Sequence, residues 1–145
     1  DAQLVAEHTY DAAEYLIKVH KGEGTALDTD FTGFVPSTVT YHTPCHLKAQ
    51  NIGFRSMQLL GLVSDDVRMI DACSGVDGTW GMKARWREQS QKIAGRLVME
   101  IRSAEPERVA TDCPLSALRI LERTGKQAVH PVVLLHEAYG LGGAR

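Results

Sequence analysis

The sequence holds little cysteine: three residues in 145, an odd number with no close pair, which makes a disulfide framework a poor explanation of its stability. It also lacks an excess of one charge. Lys+Arg number 16 against 18 Asp+Glu, for a formal net charge of -2 and a pI near 6.3, so nothing electrostatic points to nucleic acid or an anionic membrane as partner. No apolar run, Val132 to Leu135 included, approaches the roughly 20 residues that a membrane-spanning helix needs. The chain starts at Asp1 without the basic start, apolar stretch and cleavage site of a signal peptide. We read it as a fragment or processed chain from a reducing, cytoplasmic compartment, the cytoplasmic face of a membrane complex included.

What is present is the balance of a soluble globular domain, 43% hydrophobic and 23% charged, long enough to bury a core. Leu4, Val5, Ala12, Ala13, Leu16 and Ile17 fall near helical spacing, predicting one amphipathic helix from residue 2 to about 21 that Gly22 and Gly24 stop. Residues 22–37, rich in Gly, Asp and Thr and closed by Pro36, have no sustained period and predict a loop that wraps the domain. The β-branched run of Thr38, Val39 and Thr40 predicts a strand over 38–42, ended by Pro44.

A helix over about 48–62, tolerating an internal Gly53, leads to a second strand at 67–70. A long helix over about 83–102 precedes a third strand at 108–111, and Pro106 separates the two. Pro114 opens the next helix, because proline suits a first helical turn. A last short helix occupies 130–140. Strands alternating with helices imply right-handed crossovers, hence an α/β fold with a Rossmann-like parallel sheet covered by helices on both faces.

In such sheets ligands sit beyond the carboxyl ends of the strands. Cys45, Cys73 and Cys113 each follow a predicted strand, so all three should converge on one site at that edge. Thiolate is the metal-binding form of cysteine, and helix amino termini favour it. The glycine block of Gly75, Gly78 and Gly81 misses the dinucleotide-binding spacing and puts Trp80 where a phosphate would approach. Those glycines are expected to let the backbone bend around Cys73. Trp80 and Trp86 either shield the site or pack in the core. His42 and His46 flank Cys45 and are candidate further ligands. Asp71, Asp77 and Asp112 are expected to cap helices or brace turns, and His130 and His136 to be structural.

Three segments carry a resemblance: Tyr41-His42-Thr43-Pro44-Cys45-His46-Leu47, Cys73-Ser74-Gly75-Val76-Asp77-Gly78-Thr79-Trp80-Gly81 and Thr111-Asp112-Cys113-Pro114-Leu115-Ser116. They resemble the signature blocks of the cysteine-rich CCG domain family, which includes the B subunit of heterodisulfide reductase and the iron–sulfur C subunit of anaerobic glycerol-3-phosphate dehydrogenase. The run from His130 to Leu135 resembles the end of a second CCG module. The resemblance divides the chain into a helix and connecting loop over 1–37 and a CCG-like α/β region over 38–145, together one compact domain.

The resemblance implies an electron-transfer module of an iron–sulfur oxidoreductase, working beside a flavin- or quinone-linked part of a larger polypeptide or complex. The family pattern has five cysteines, and Ser74 and Ser116 stand at two of those positions. The three remaining thiolates, Cys45, Cys73 and Cys113, suffice for a four-iron, four-sulfur cluster with one iron bound by His, Asp, Ser or water, or for a three-iron cluster. The alternative is a degenerate module that binds zinc or no metal and serves in assembly. A thiol redox sensor is a third reading.

Overall fold

The computed structural model describes residues 1–141. Its centre is a four-stranded sheet, all parallel, in the spatial order β2-β1-β3-β4, where β1 is Val39–His42, β2 Val67–Ile70, β3 Arg108–Thr111 and β4 Ala128–Val129. The central strand β1 is buried along its whole length, as expected for a parallel strand with helices on both faces. The Rossmann-like α/β expectation therefore holds.

Register aligns His42 with Ile70 on one side and Thr111 on the other, so β1, β2 and β3 end level. One face packs Val39, Tyr41 and Ala110 against helices α2 (Ala12–His20), α4 (Arg55–Val63) and α8 (Pro131–Ala138). The other packs Ile70, Val109 and Ala128 against α6 (Gly95–Ala104) and α7 (Pro114–Thr124). Among the described residues no helix is long and apolar enough to cross a membrane.

Three expected helices are divided. The first splits into α1 (Ala2–Glu7) and α2, because Asp11 caps α2 through a reciprocal box with Glu14, while His8 and Thr9 turn back onto the carbonyls of Leu4 and Val5. The second splits into α3 (Cys45–Ala49) and α4. Gly53 (φ +79°) and Asn51 (φ 55°) are left-handed, so this glycine breaks the helix instead of lying inside it. The third begins as two short 3₁₀ turns, Trp80–Met82 and Ala84–Trp86, and continues as α5 (Arg87–Ile93) and α6, interrupted at Ala94, which caps both. Strand β4 adds a pairing that the sequence pattern does not announce.

The 22–37 segment is a loop and does wrap the domain. Its Gly33 and Phe34 amides donate to the carbonyls of Ala138 and Glu137 at the end of α8, 2.8 and 3.1 Å away. A Cβ on Gly33 would stand 2.1 Å from the Glu137 carbonyl oxygen, so glycine is required by the approach.

Candidate functional site: three cysteines at the carboxyl edge of the sheet

Each cysteine is placed by the end of a strand. Pro44 stops β1 and caps α3, leaving Cys45 as its first residue. Cys73 lies three residues past β2 in the glycine-rich turn. Cys113 is the amino-terminal cap of α7, with Pro114 in the first turn. All three line one cavity of about 420 Å³ together with His42, His46, Ser74, Trp80 and Ser116. All three are free thiols, with Cys45 and Cys73 exposed and Cys113 partly so. The structure thus brings the three cysteines to one cavity.

Two of the sulfurs already receive backbone donors. The Gly75 amide reaches Cys73 Sγ at 3.3 Å, and the Ser116 amide reaches Cys113 Sγ at 3.5 Å. Backbone donors of this kind suit a sulfur that ligates an anionic group. Ser74 and Ser116, both buried, hydrogen-bond each other at 2.9 Å. The two hydroxyls therefore satisfy one another across the cavity wall.

The flanking histidines differ. His42 is buried with both ring nitrogens engaged, Nδ1 with Thr111 Oγ1 at 3.0 Å and Nε2 with the Ala72 carbonyl at 2.9 Å. It lines the cavity but offers no free nitrogen, and it ties β1 to the ends of β3 and β2. Burial lowers its pKa, so the neutral ring is favoured. His46 is exposed on the cavity wall and remains the more accessible donor. His136 does not line the cavity.

The glycine loop is packed tightly, as the sequence suggested. Gly75 has φ +71°, and a Cβ there would lie 2.1 Å from the Ser90 carbonyl oxygen; one on Gly81 would lie 2.0 Å from the Gly75 carbonyl oxygen. Trp80 lines the cavity and stacks on Trp86, ring centroids 5.5 Å apart.

Several contacts are not legible in the sequence. Asp112, beside Cys113, accepts from Tyr41 Oη at 2.5 Å and from Ser56 Oγ at 2.6 Å, and lies 3.5 Å from His130 Nε2. Burial and the Asp112 carboxylate push the Tyr41 phenol well above its ordinary pKa, so it stays a donor. His130 therefore has a partner, with its other nitrogen capping α8. Asp71 pairs with Lys48, joining the end of β2 to α3. Arg119 and Ser90 are buried behind the glycine loop. For Arg119 the three-residue spacing of Cys113, Ser116 and Arg119, which puts them along one side of a helix, is the one hint in the sequence; Ser90 has none.

Among the described residues, no three His, Cys, Asp or Glu side chains converge closely enough to hold a single metal ion. Three free thiols lining one cavity are a donor set of the kind that an iron–sulfur cluster takes.

The profile of the cysteine-rich domain family CCG matches residues 39–120. The C subunit of anaerobic glycerol-3-phosphate dehydrogenase from Escherichia coli strain K12 is 31% identical over 106 residues, covering 72% of this chain and 27% of that protein. Its namesake from Escherichia coli O157:H7 gives the same identity and coverage. The chain spans about a quarter of the length of these relatives. With the profile running from β1 into α7 and enclosing every cysteine loop, this chain belongs to the cysteine-rich CCG domain family.

Proposed function

We propose that this chain is an electron-transfer module of an iron–sulfur oxidoreductase, with Cys45, Cys73 and Cys113 as the ligands of its cluster. The observation that carries the reading is the opening of all three thiols into one cavity at the level carboxyl ends of β1, β2 and β3. A bound cluster supplies one-electron chemistry. The chain's own groups supply the rest: three sulfurs as ligands, the Gly75 and Ser116 amides as donors that stabilise negative charge on two of them, and Trp80 as an apolar wall. With His42 engaged, the fourth ligand falls to exposed His46 or to water; a four-iron or a three-iron cluster satisfies this donor set.

The similarity to one component of a dehydrogenase supports a place in a larger redox polypeptide or complex, next to a flavin- or quinone-linked part. A cytoplasmic location belongs to the same proposal. A second reading, a metal-free assembly module, is favoured by one specific contact, the self-satisfied Ser74–Ser116 pair.

Iron and acid-labile sulfide analysis after anaerobic reconstitution separates the two. Iron with sulfide, lost on Cys45→Ala, Cys73→Ala or Cys113→Ala and kept on His136→Ala, is expected. A colourless wild-type chain without iron would leave the assembly reading in its place.

A further inference from the structure

Helix α7 touches the glycine loop at two places beyond Cys113. Ser116 Oγ donates to Ser74 Oγ, and one turn on Arg119 Nη2 donates to Ser90 Oγ at 2.6 Å and to the Gly81 carbonyl at 3.1 Å. Ser90 Oγ in turn donates to the Gly75 carbonyl at 2.7 Å. Arg119 is only 5% exposed, and Ser90 is fully buried. A guanidinium cannot give up its charge in a protein, and burying it without partners is costly. Its Nη1 lies 3.3 Å from Glu122, which Arg87 also holds, so the charge is compensated.

The relay ends at a sulfur. Gly75 is the residue whose amide faces Cys73 Sγ, and the same residue's carbonyl is the acceptor for Ser90. Both peptide groups of Gly75 are thereby fixed, one by the site and one by the buried polar chain behind it. The glycine's left-handed angle and its contact with Ser90 leave the turn no room to relax toward α5.

We propose that Arg119 is a positioning residue of the thiol cavity: acting through Ser90 and the Gly75 and Gly81 carbonyls, it fixes the placement of Cys73 relative to Cys113. Helix α7 then acts as a clamp, with Cys113 at its cap and the Cys73 loop held by Ser116 and Arg119. The proposal rests on the thiol cavity being the functional site, and its first test needs no metal.

In the full reduced chain, the alkylation rates of Cys45, Cys73 and Cys113 by iodoacetamide are followed by mass spectrometry for wild type, Ser90→Ala and Arg119→Met. Ser90→Ala removes one hydroxyl at a site that keeps its backbone, so it serves even where Arg119→Met does not fold. The Cys73 to Cys113 rate ratio is expected to change by roughly fivefold or more, the kinetic scale of one buried hydrogen bond, with Cys45 unaffected. An unchanged ratio, or an equal rise at all three thiols, would overturn the proposal in favour of a general core role. Reconstituted wild type and Ser90→Ala should also differ in their paramagnetic spectra; identical spectra with iron bound would count equally against it. If wild type takes up no iron, the cluster reading fails while the thiol ratio still decides the clamp.

Discussion

The two sides of the cavity are built differently. Cys73 and Cys113 each have a backbone amide on the sulfur, and their loops are joined by Ser74–Ser116 and by the Arg119–Ser90 relay. Cys45 begins a helix of five residues that is anchored by buried Leu47, and among the described residues its sulfur receives no hydrogen bond; the Lys48–Asp71 ion pair at the surface is the side-chain polar contact that ties this helix to the end of β2. An exposed ion pair contributes little. One half of the site is therefore organised in advance of any ligand while the other half can adjust to it, so substitutions should act unequally on the two.

The largest effect should come from the organised side. Gly75→Ala forces both a left-handed angle and a backbone collision, and should cost roughly 3 kcal/mol or more, read as a drop in the midpoint of chemical denaturation. The same change at Gly53, left-handed but with nothing within 4 Å of its Cβ, precedes α4 on the side of Cys45 and should cost only about 1 kcal/mol. Equal losses at the two glycines would erase the distinction between the halves.

A pH effect of intermediate size should come from His42, which spans the two sides by bonding Thr111 and Ala72. Burial depresses its folded pKa, Lys48 adds to the depression, and Ala72, Asp112 and Asp71 oppose it. The unfolded chain therefore binds the proton more readily, so stability is complete above the ordinary histidine value of about 6.5 and is lost as pH falls below it. Thermal midpoints from pH 8 down to 5 should show this slope, and His42→Gln should flatten it; an unchanged slope would remove histidine from the account.

Restoring thiols probes the organised half directly. Ser74→Cys with Ser116→Cys replaces the hydroxyl pair by softer ligands, and should raise iron uptake or alter the absorption spectrum with little change in fold. The smallest effect belongs far from the site: α1 buries no residue, and Leu4 is 60% exposed, so Leu4→Ala should shift stability by no more than about 0.5 kcal/mol in denaturant melts.

The sheet was readable because β-branched residues cluster where Pro44 and Pro106 set limits, and because Pro114 announces α7; β2 and β3 have the bounds their sequence suggests. Strand β4, two residues long, carries too little pattern to register. The helix breaks escaped for a different reason. Asp11 and Gly53 act through a cap and a left-handed angle, both compatible with a continuing apolar stripe, so periodicity alone passes over them.

In the site, the cysteines declared themselves through their position after strands, and the glycine block through its crowding around Cys73. The buried polar partners did not. Arg119 on an amphipathic helix and Ser90 beside Gln91 look like surface residues until tertiary packing places one against the other. Asp112 looked like a turn brace, and its three side-chain partners come from three distant parts of the chain.

The level ends of β2, β1 and β3 bear on how such a chain tolerates change in length. The cysteines stand far apart along the sequence, yet their loops leave neighbouring strands that lie about 4.8 Å apart, with Cys45 on the middle one. Length along the crossovers is therefore decoupled from distance across the site. Residues added between α6 and β3 would bulge into solvent and leave the sulfurs where they are. A single residue added between His42 and Cys45 would turn the thiol away from its two neighbours, which makes the short tether after each strand, and not the long span between motifs, the dimension that this architecture holds fixed.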